Sequence, residues 1–564
     1  MTDTAIGRWA VRIVVGMGLF LAIHSLVLAL VASEAVASMR PWPLSIDFAF
    51  FDSSDGDHVH ADEFHNFGAP QEPDRPPPGS PWYAPRVSDL NNLSVALSPQ
   101  TKGVYGFLFN DSTTPDGVPY GTYNWCNMPH VRADEYVVPP AEQKRSLVYV
   151  ELVHRHHKRT PYASNGFPHE PYNWECDDAR IHLYGDPVGN TEKRPGVAHY
   201  VPTFDAPSNP FLAAAPAWHG SCQFPQLTSG GLEDAWQHGV DLYKVYHDLL
   251  GFLPAMTDAD AWSEQVAVRV TNNPITSQTV TMVLGGMAAA AGGGPILDTP
   301  LLAEAAGFDS LEPQYTCPAA VKMFKAITAA STDYNDNQGG SPVWAEHLEQ
   351  LEPLFAKLDA ASGVDPEDPH GFHESVDHYY DNLSARQCHG KPPVEGISQD
   401  EADTVFRVGQ WEYSRMYRDD VRSLATSVGA WGVWVAQLAG HLRVASSGNN
   451  TDKVRYRHNV AHDGSLSRLL SILQADEMVW PGMGSEVVVE LWKKEGEGDE
   501  NEDKNATSSY DVRILFSGKV LRSSHPKLGL LDMVPLDALL TYIDGLVGVN
   551  ASLLPAKCNG TSPL

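Results

Sequence analysis

The stretch Glu151-Leu-Val-His-Arg-His-His-Lys-Arg-Thr-Pro161 closes an apolar, β-prone run, Ser146 to Val153, with a dense cationic cluster. A strand ending in Arg155, His156 and Arg159 brings several phosphate-binding groups into one small volume. A guanidinium is a fixed fork of donors matched to phosphate oxygens, and a neutral imidazole is a nucleophile able to carry a phosphoryl group. Pro161 fixes the exit of the turn. Taken alone, the stretch fits a basic surface loop equally well.

Some three hundred residues on, Asn459-Val-Ala-His-Asp-Gly-Ser-Leu-Ser-Arg-Leu-Leu-Ser-Ile-Leu473 places His462 and Asp463 where a turn gives way to an apolar helix. A carboxylic acid beside a phosphate-binding imidazole is the proton source that a leaving alkoxide needs. Together the two segments resemble the early Arg-His-Gly-x-Arg-x-Pro signature and the late His-Asp pair of the histidine acid phosphatase family, branch 2 of the histidine phosphatase superfamily. Val266 to Asn273 resembles the family's strand after its first long helix, and Trp480 to Trp492 and Val512 to Val520 resemble its terminal strand pair. The resemblance spans roughly residues 145 to 545.

That resemblance implies an α/β fold, a layered mixed sheet flanked by helices with an inserted, mainly helical cap. It implies His156 as nucleophile, Arg155 and Arg159 as clamps on the phosphoryl oxygens, His462 as a further phosphate ligand, and Asp463 as general acid and then base towards water. No metal and no cofactor is called for. Phosphoryl transfer asks mainly for positioning and for positive charge around the equatorial oxygens. The guanidiniums should keep His156 neutral in mild acid. Asp463 must be protonated to donate, which a bound dianionic phosphate favours, so an acidic optimum follows.

Two positions depart from the family pattern. His157 stands in place of the signature glycine, its ring either turned outward or donating another bond. Ile275 aligns with the third phosphate-binding arginine, and Lys158, His157 or Arg269 are the candidates to supply the missing charge. The leading expectation is therefore a secreted acid phosphatase acting on phosphomonoesters. The alternatives are a weakly active or inactive binding or signalling protein on the same fold, and a phytase. A phytase is disfavoured because residues 291–450 hold 10 Lys/Arg against 23 Asp/Glu, where a many-phosphate substrate wants a basic rim. Secretion argues against a phosphoglycerate mutase.

The formal charge of −31 over 564 residues argues against nucleic acid as a partner. Arg8 and Arg12 precede an apolar stretch from Ile13 to Ala32, and Ala35-Val-Ala37 offers a small-residue cleavage site. Residues 1–37 are thus expected to be a signal peptide, or else an uncleaved anchor that is the chain's only contact with a membrane. Six cysteines, none in a C-x-x-C pair, fit three disulfides in an oxidising compartment. Seven Asn-x-Ser/Thr sites begin at Asn92, Asn110, Asn382, Asn449, Asn505, Asn550 and Asn559.

Residues 38–144 are rich in Pro, Asp and Gly and read as an extended arm pinned by Cys126. Within it, His58-Val-His-Ala-Asp-Glu-Phe-His65 is weighed as a metal site and set aside, since Glu63 breaks the ligand pattern and no other ligand cluster is apparent. Residues 145–294 read as the first part of the α/β core. A helix is predicted over Gly230–Leu250, a buried strand over Val266–Val270 and a helix over Thr276–Met287. Residues 295–450 lack strand alternation and read as the helical cap, with a helix at Trp344–Leu358 that Pro353 could kink, and further helices around Asp377–Cys388 and Val408–Arg418. The chain is expected to return to the sheet from Arg443. Residues 451–545 complete the core, Lys493–Lys504 reads as a solvated hairpin loop, and 546–564 as a tail held by Cys558.

Overall fold

In the computed structural model the described residues are 81–98, 112, 117–170, 173–176, 220–222, 224–293, 297, 299–330, 340–447, 452–495 and 509–563. The N-terminal hydrophobic segment, the His58–His65 stretch and most of the acidic run after Lys493 lie outside them. Eight strands form one mixed sheet: β1 (Arg145–Arg155), β2 (Val266–Val270), β3 (Leu301–Leu302), β4 (Tyr456–Ala461), β5 (Glu486–Lys494), β6 (Tyr510–Phe516), β7 (Lys519–Val520) and β8 (Val534–Pro535). Their order is β3-β2-β4-β1-β5-β6-β7, with β8 also paired to β6. The β3, β2, β4 and β1 strands run parallel, β5 joins β1 antiparallel, and β6 in turn pairs antiparallel with β5.

This register decides where chemistry can occur. Arg155 lies opposite Ala461, and Val270 opposite Val460, so the carboxyl ends of β1, β4 and β2 share one edge of the sheet. His156, His462 and Thr271 are the next residues out of those strands and emerge side by side. The crevice at strand carboxyl ends is where layered α/β sheets bind ligands.

Both faces of β1 are covered, as its run of apolar residues demands. Val150 and Leu152 join a core with Leu242, Val280, Val283 and Met287 from the helices Ser229–Tyr243 and Pro274–Ala290. Successive strand residues point to opposite faces, and Glu151 meets His441 of the helix Ser423–Ser446 at 2.9 Å. The first two helices touch through glycines. A Cβ on Gly239 would sit 2.0 Å from the Val283 carbonyl oxygen, and one on Gly286 1.9 Å from that of Trp236.

Val266–Val270 forms a strand with the predicted bounds, and the following helix runs longer, capped by Asn273 with Pro274 in its first turn. Pro353 lies inside a helix that continues from Pro342 to Ser362. Three expectations need correction. Leu301–Leu302 extends the sheet within the segment read as helical, because two residues paired with β2 leave no alternation to detect. Arg443 belongs to the last turn of the helix Ser423–Ser446, and the sheet resumes only at Tyr456. The tail is held by packing as well as by a bridge, since Leu554 is buried and its methyls approach Gly432.

Three disulfides link Cys126–Cys388, Cys176–Cys222 and Cys317–Cys558. The first ties the segment before β1 to the helix Asp377–Cys388. Asn382 is lost as a glycosylation candidate, because it is fully buried and its side-chain oxygen accepts from Arg386 Nε at 2.9 Å. Asn92, Asn550 and Asn559 are exposed. No described helix is long and apolar enough to cross a membrane.

Candidate active site

Backbone bonds fasten the turn after β1 on both sides. His156 N–H donates to the Ala461 carbonyl (3.1 Å), and Gly484 N–H donates to the His156 carbonyl (3.0 Å). The His156 side chain is oriented locally: Nδ1 lies 3.0 Å from the His157 carbonyl oxygen. A carbonyl only accepts, so Nδ1 carries the proton and Nε2 keeps its lone pair. The ring of His462 stands 5.4 Å from that of His156, centre to centre.

Asp463 is the first residue of the helix Asp463–Ile472, whose N-cap is His462. Its Oδ2 accepts from Arg155 Nη2 and from the Trp480 indole N–H, both at 2.9 Å. Arg155 also donates to the Pro481 carbonyl at 2.7 Å and lies over the Trp125 ring at 4.7 Å. Arg159 donates to Asp381 and to the Thr160 carbonyl, each at 2.9 Å, and covers the Tyr162 ring at 4.1 Å. The Nε groups of both arginines are buried with no hydrogen-bond partner among the described residues. Two unmet guanidinium N–H groups are what an incoming anion can satisfy.

Burial, then the charges of Arg155 and Arg159, hold His156 well below the usual imidazole range. Burial drives His462 down to about 4, against the opposing pull of Asp463. For Asp463, burial pulls upward, but Arg155, the Trp480 indole and Arg159 together outweigh it and leave the carboxyl below its ordinary value. The unliganded site therefore holds neutral imidazoles and an ionised Asp463. An anion that competes for Arg155 would lift the Asp463 carboxyl towards protonation.

Five residues at the site escape sequence reasoning. Glu312, 2% exposed, has Oε1 3.4 Å from His462 Nε2 and is pushed up to about 8 by burial and then by Asp309. Thr271 Oγ1 lies 3.0 Å from the same nitrogen. Trp125, Trp480 and Asp381 complete the walls. Each comes from a different segment, and a lone acid or aromatic carries no spacing signal.

None of the three residues considered for the charge missing at Ile275 turns to replace it. Ile275 is wholly buried among Trp174, Cys176, Cys222, Phe224, Leu227 and Leu232. Lys158 pairs with Asp234 at 3.2 Å and with Ser112. Arg269 pairs with Glu304 and Asp309 at 2.8 and 3.0 Å. His157 turns neither outward nor towards the phosphate site but inward, 3.2 Å from His238 Nδ1. Among the described residues the one group suited to a metal is His154, His157 and His238, directly behind the site. His238 lies too far along the chain to be joined to β1 by any motif, so this group carries no sequence signal.

The family model of the histidine phosphatase superfamily, branch 2, matches residues 146–517. Counting factor 60 of Dictyostelium discoideum is 25% identical over 356 residues, spanning 62% of this chain and 77% of that protein. Among solved structures, the phytase of Klebsiella sp. ASR1 is 15% identical with a TM-score of 0.41, covering 72% of this chain and 97% of its own. The Hafnia alvei phytase in complex with myo-inositol hexakis sulphate is 12% identical with a TM-score of 0.43, covering 73% and 99%.

Proposed function

Because the chain belongs to the histidine phosphatase superfamily, branch 2, we propose that it is an acid phosphatase that hydrolyses phosphomonoesters through a phosphohistidine on His156. The observation that carries this reading is the joint placement of a tautomer-fixed His156, the Arg155–Asp463 pair and His462 at one sheet edge. Substrate phosphate draws on the free Nε groups of Arg155 and Arg159. Its charge competes with Asp463 for Arg155 and lifts the carboxyl towards protonation. The Nε2 lone pair of His156 bonds to phosphorus as the ester P–O bond breaks, and Asp463 passes its proton to the leaving oxygen. In the second half, ionised Asp463 takes a proton from water, whose oxygen bonds to phosphorus while the P–N electrons return to His156.

Mild acid suits this cycle, since it favours the protonated Asp463 and leaves the depressed His156 neutral. The part of segment 295–450 that carries Asp381 acts as the cap, because Asp381 reaches from it to Arg159, whereas Leu301–Leu302 and Ser423–Ser446 belong to the sheet and its covering layer. Three disulfides support an extracellular or lumenal address. The purified protein is expected to release phosphate from a simple aryl phosphate in mild acid, and His156→Ala is expected to abolish release. Turnover unchanged by that substitution refutes the assignment.

A second reading is favoured by Ile275 and by the prior engagement of Lys158, Arg269 and His157: a protein that binds phosphate esters and turns them over poorly. One lost charge-assisted bond is worth about 1.5–3 kcal/mol, or roughly ten- to a few-hundredfold in rate. A tight-binding phosphomonoester that is hydrolysed only over hours supports this reading over the first.

A further inference from the structure

We propose that His154, His157 and His238 form a binding site for a divalent first-row transition ion, zinc in the first instance, immediately behind His156. It is independent of the phosphatase reading. One ring nitrogen from each of the three residues lies within 4.8 Å of the others. A Zn–N bond of about 2.0–2.1 Å places tetrahedral ligands roughly 3.4 Å apart. His157 Nε2 and His238 Nδ1 are already 3.2 Å apart, so the third ring has only a short way to move.

The outer shell of such a site is in place. His238 Nε2 is 3.0 Å from the buried Glu486 Oε2 and His154 Nδ1 is 2.9 Å from the Arg155 carbonyl. The carbonyl, and the Glu486 carboxylate in its ionised form, only accept, so these nitrogens then carry the protons and the opposite ones, His238 Nδ1 and His154 Nε2, present lone pairs inward. Carboxylate and carbonyl partners of this kind orient metal-binding histidines. His458 lies outside that group of three as it stands, but its Nε2 is 2.8 Å from His154 Nε2 and its Nδ1 meets the Tyr456 hydroxyl at 3.1 Å, so a small shift of its ring makes it the fourth ligand. Four imidazoles close a tetrahedral structural site, and imidazole-only sets suit zinc, copper or nickel rather than magnesium or calcium.

Hydrogen bonding does not by itself account for His157. The residue is fully buried, and its Nδ1 has no partner among the described residues. Room for the ring is provided by Gly484, which has φ +69° and whose added Cβ would lie 2.4 Å from His157 Cε1. An ion here would hold the His157 side chain, and so the carbonyl to which His156 Nδ1 donates. Metal binding and the orientation of the His156 ring are coupled through one residue.

The test uses the full chain carrying His58→Ala, His60→Ala and His65→Ala, which removes the other histidine-rich stretch. Stripped with chelator, reloaded with Zn²⁺ and dialysed, it is expected to retain one zinc per chain by mass spectrometry and to melt at a higher temperature than the stripped form. His157→Gly and His238→Gln are each expected to weaken retention by roughly 100-fold or more. Co²⁺ loaded into the same parent chain reads the coordination without those variants: intense visible bands and an all-nitrogen first shell in X-ray absorption are expected. Failure of the parent chain to retain stoichiometric zinc overturns the proposal. So does retention that survives both substitutions, or a cobalt shell made of oxygen.

Discussion

Asp463 is gripped by Arg155 and the Trp480 indole, so its removal has a leaving-group signature. With a nitrophenyl ester, whose phenoxide needs little help, Asp463→Asn should lose modestly in the phosphorylation step. With an alkyl phosphate it should lose about 10²–10⁴-fold. Equal losses for both esters in burst-phase kinetics would remove Asp463 from the acid role. Glu312 makes a separate test. Its folded value of about 8 lies above its ordinary 4.5, so the folded state holds the extra proton between those limits. The stability it permits is full below pH 4.5 and is lost as pH rises towards 8. Glu312→Gln should therefore gain melting temperature over the unsubstituted protein progressively across that window, and a pH-independent difference contradicts the buried-acid description. The residues grouped in Arg155–Arg159 and His462–Asp463 were legible because each set is contiguous in sequence. Glu312, Asp381 and Trp125 were not, because only folding makes them neighbours.

At the level of elements, the helices Ser229–Tyr243 and Pro274–Ala290 meet backbone to backbone at Gly239 and Gly286. Neither glycine is in a left-handed conformation, so the requirement is space alone. Gly239→Ala or Gly286→Ala should destabilise the fold by about 1–3 kcal/mol through overpacking, read as a lower denaturant midpoint. A midpoint unchanged for both shows that the helices part easily there. The periodicity of these helices and the apolar run of β1 were readable from sequence. The Leu301–Leu302 strand was not, since its existence depends on register with β2 rather than on its own two residues. His157 shows the same limit in reverse: a local departure from a signature acquires meaning only beside His238, brought in by the next helix.

For the whole molecule, the charge of −31 sets a field that repels polyanions. At low salt, kcat/KM for an inositol polyphosphate should stand below that for a simple monophosphate, and the gap should narrow as ionic strength screens the surface. A polyphosphate rate that falls with salt instead marks a local basic rim that the composition hides. Two motifs some three hundred residues apart were read together through their resemblance to one family's signature, and the parallel pairing of β1 with β4 turns that sequence separation into adjacency. The pairing of six cysteines had no such signal, since fifteen connectivities satisfy the count. The most direct measurement of the central claim is rapid-quench labelling. Protein mixed with a ³²P-labelled phosphomonoester is quenched in alkaline denaturant, where a phosphorus–nitrogen bond survives, and digested to locate the label. Label on the peptide bearing His156, absent from His156→Ala, is expected; a chain that releases phosphate with no label on that peptide, or with equal label in the variant, contradicts it.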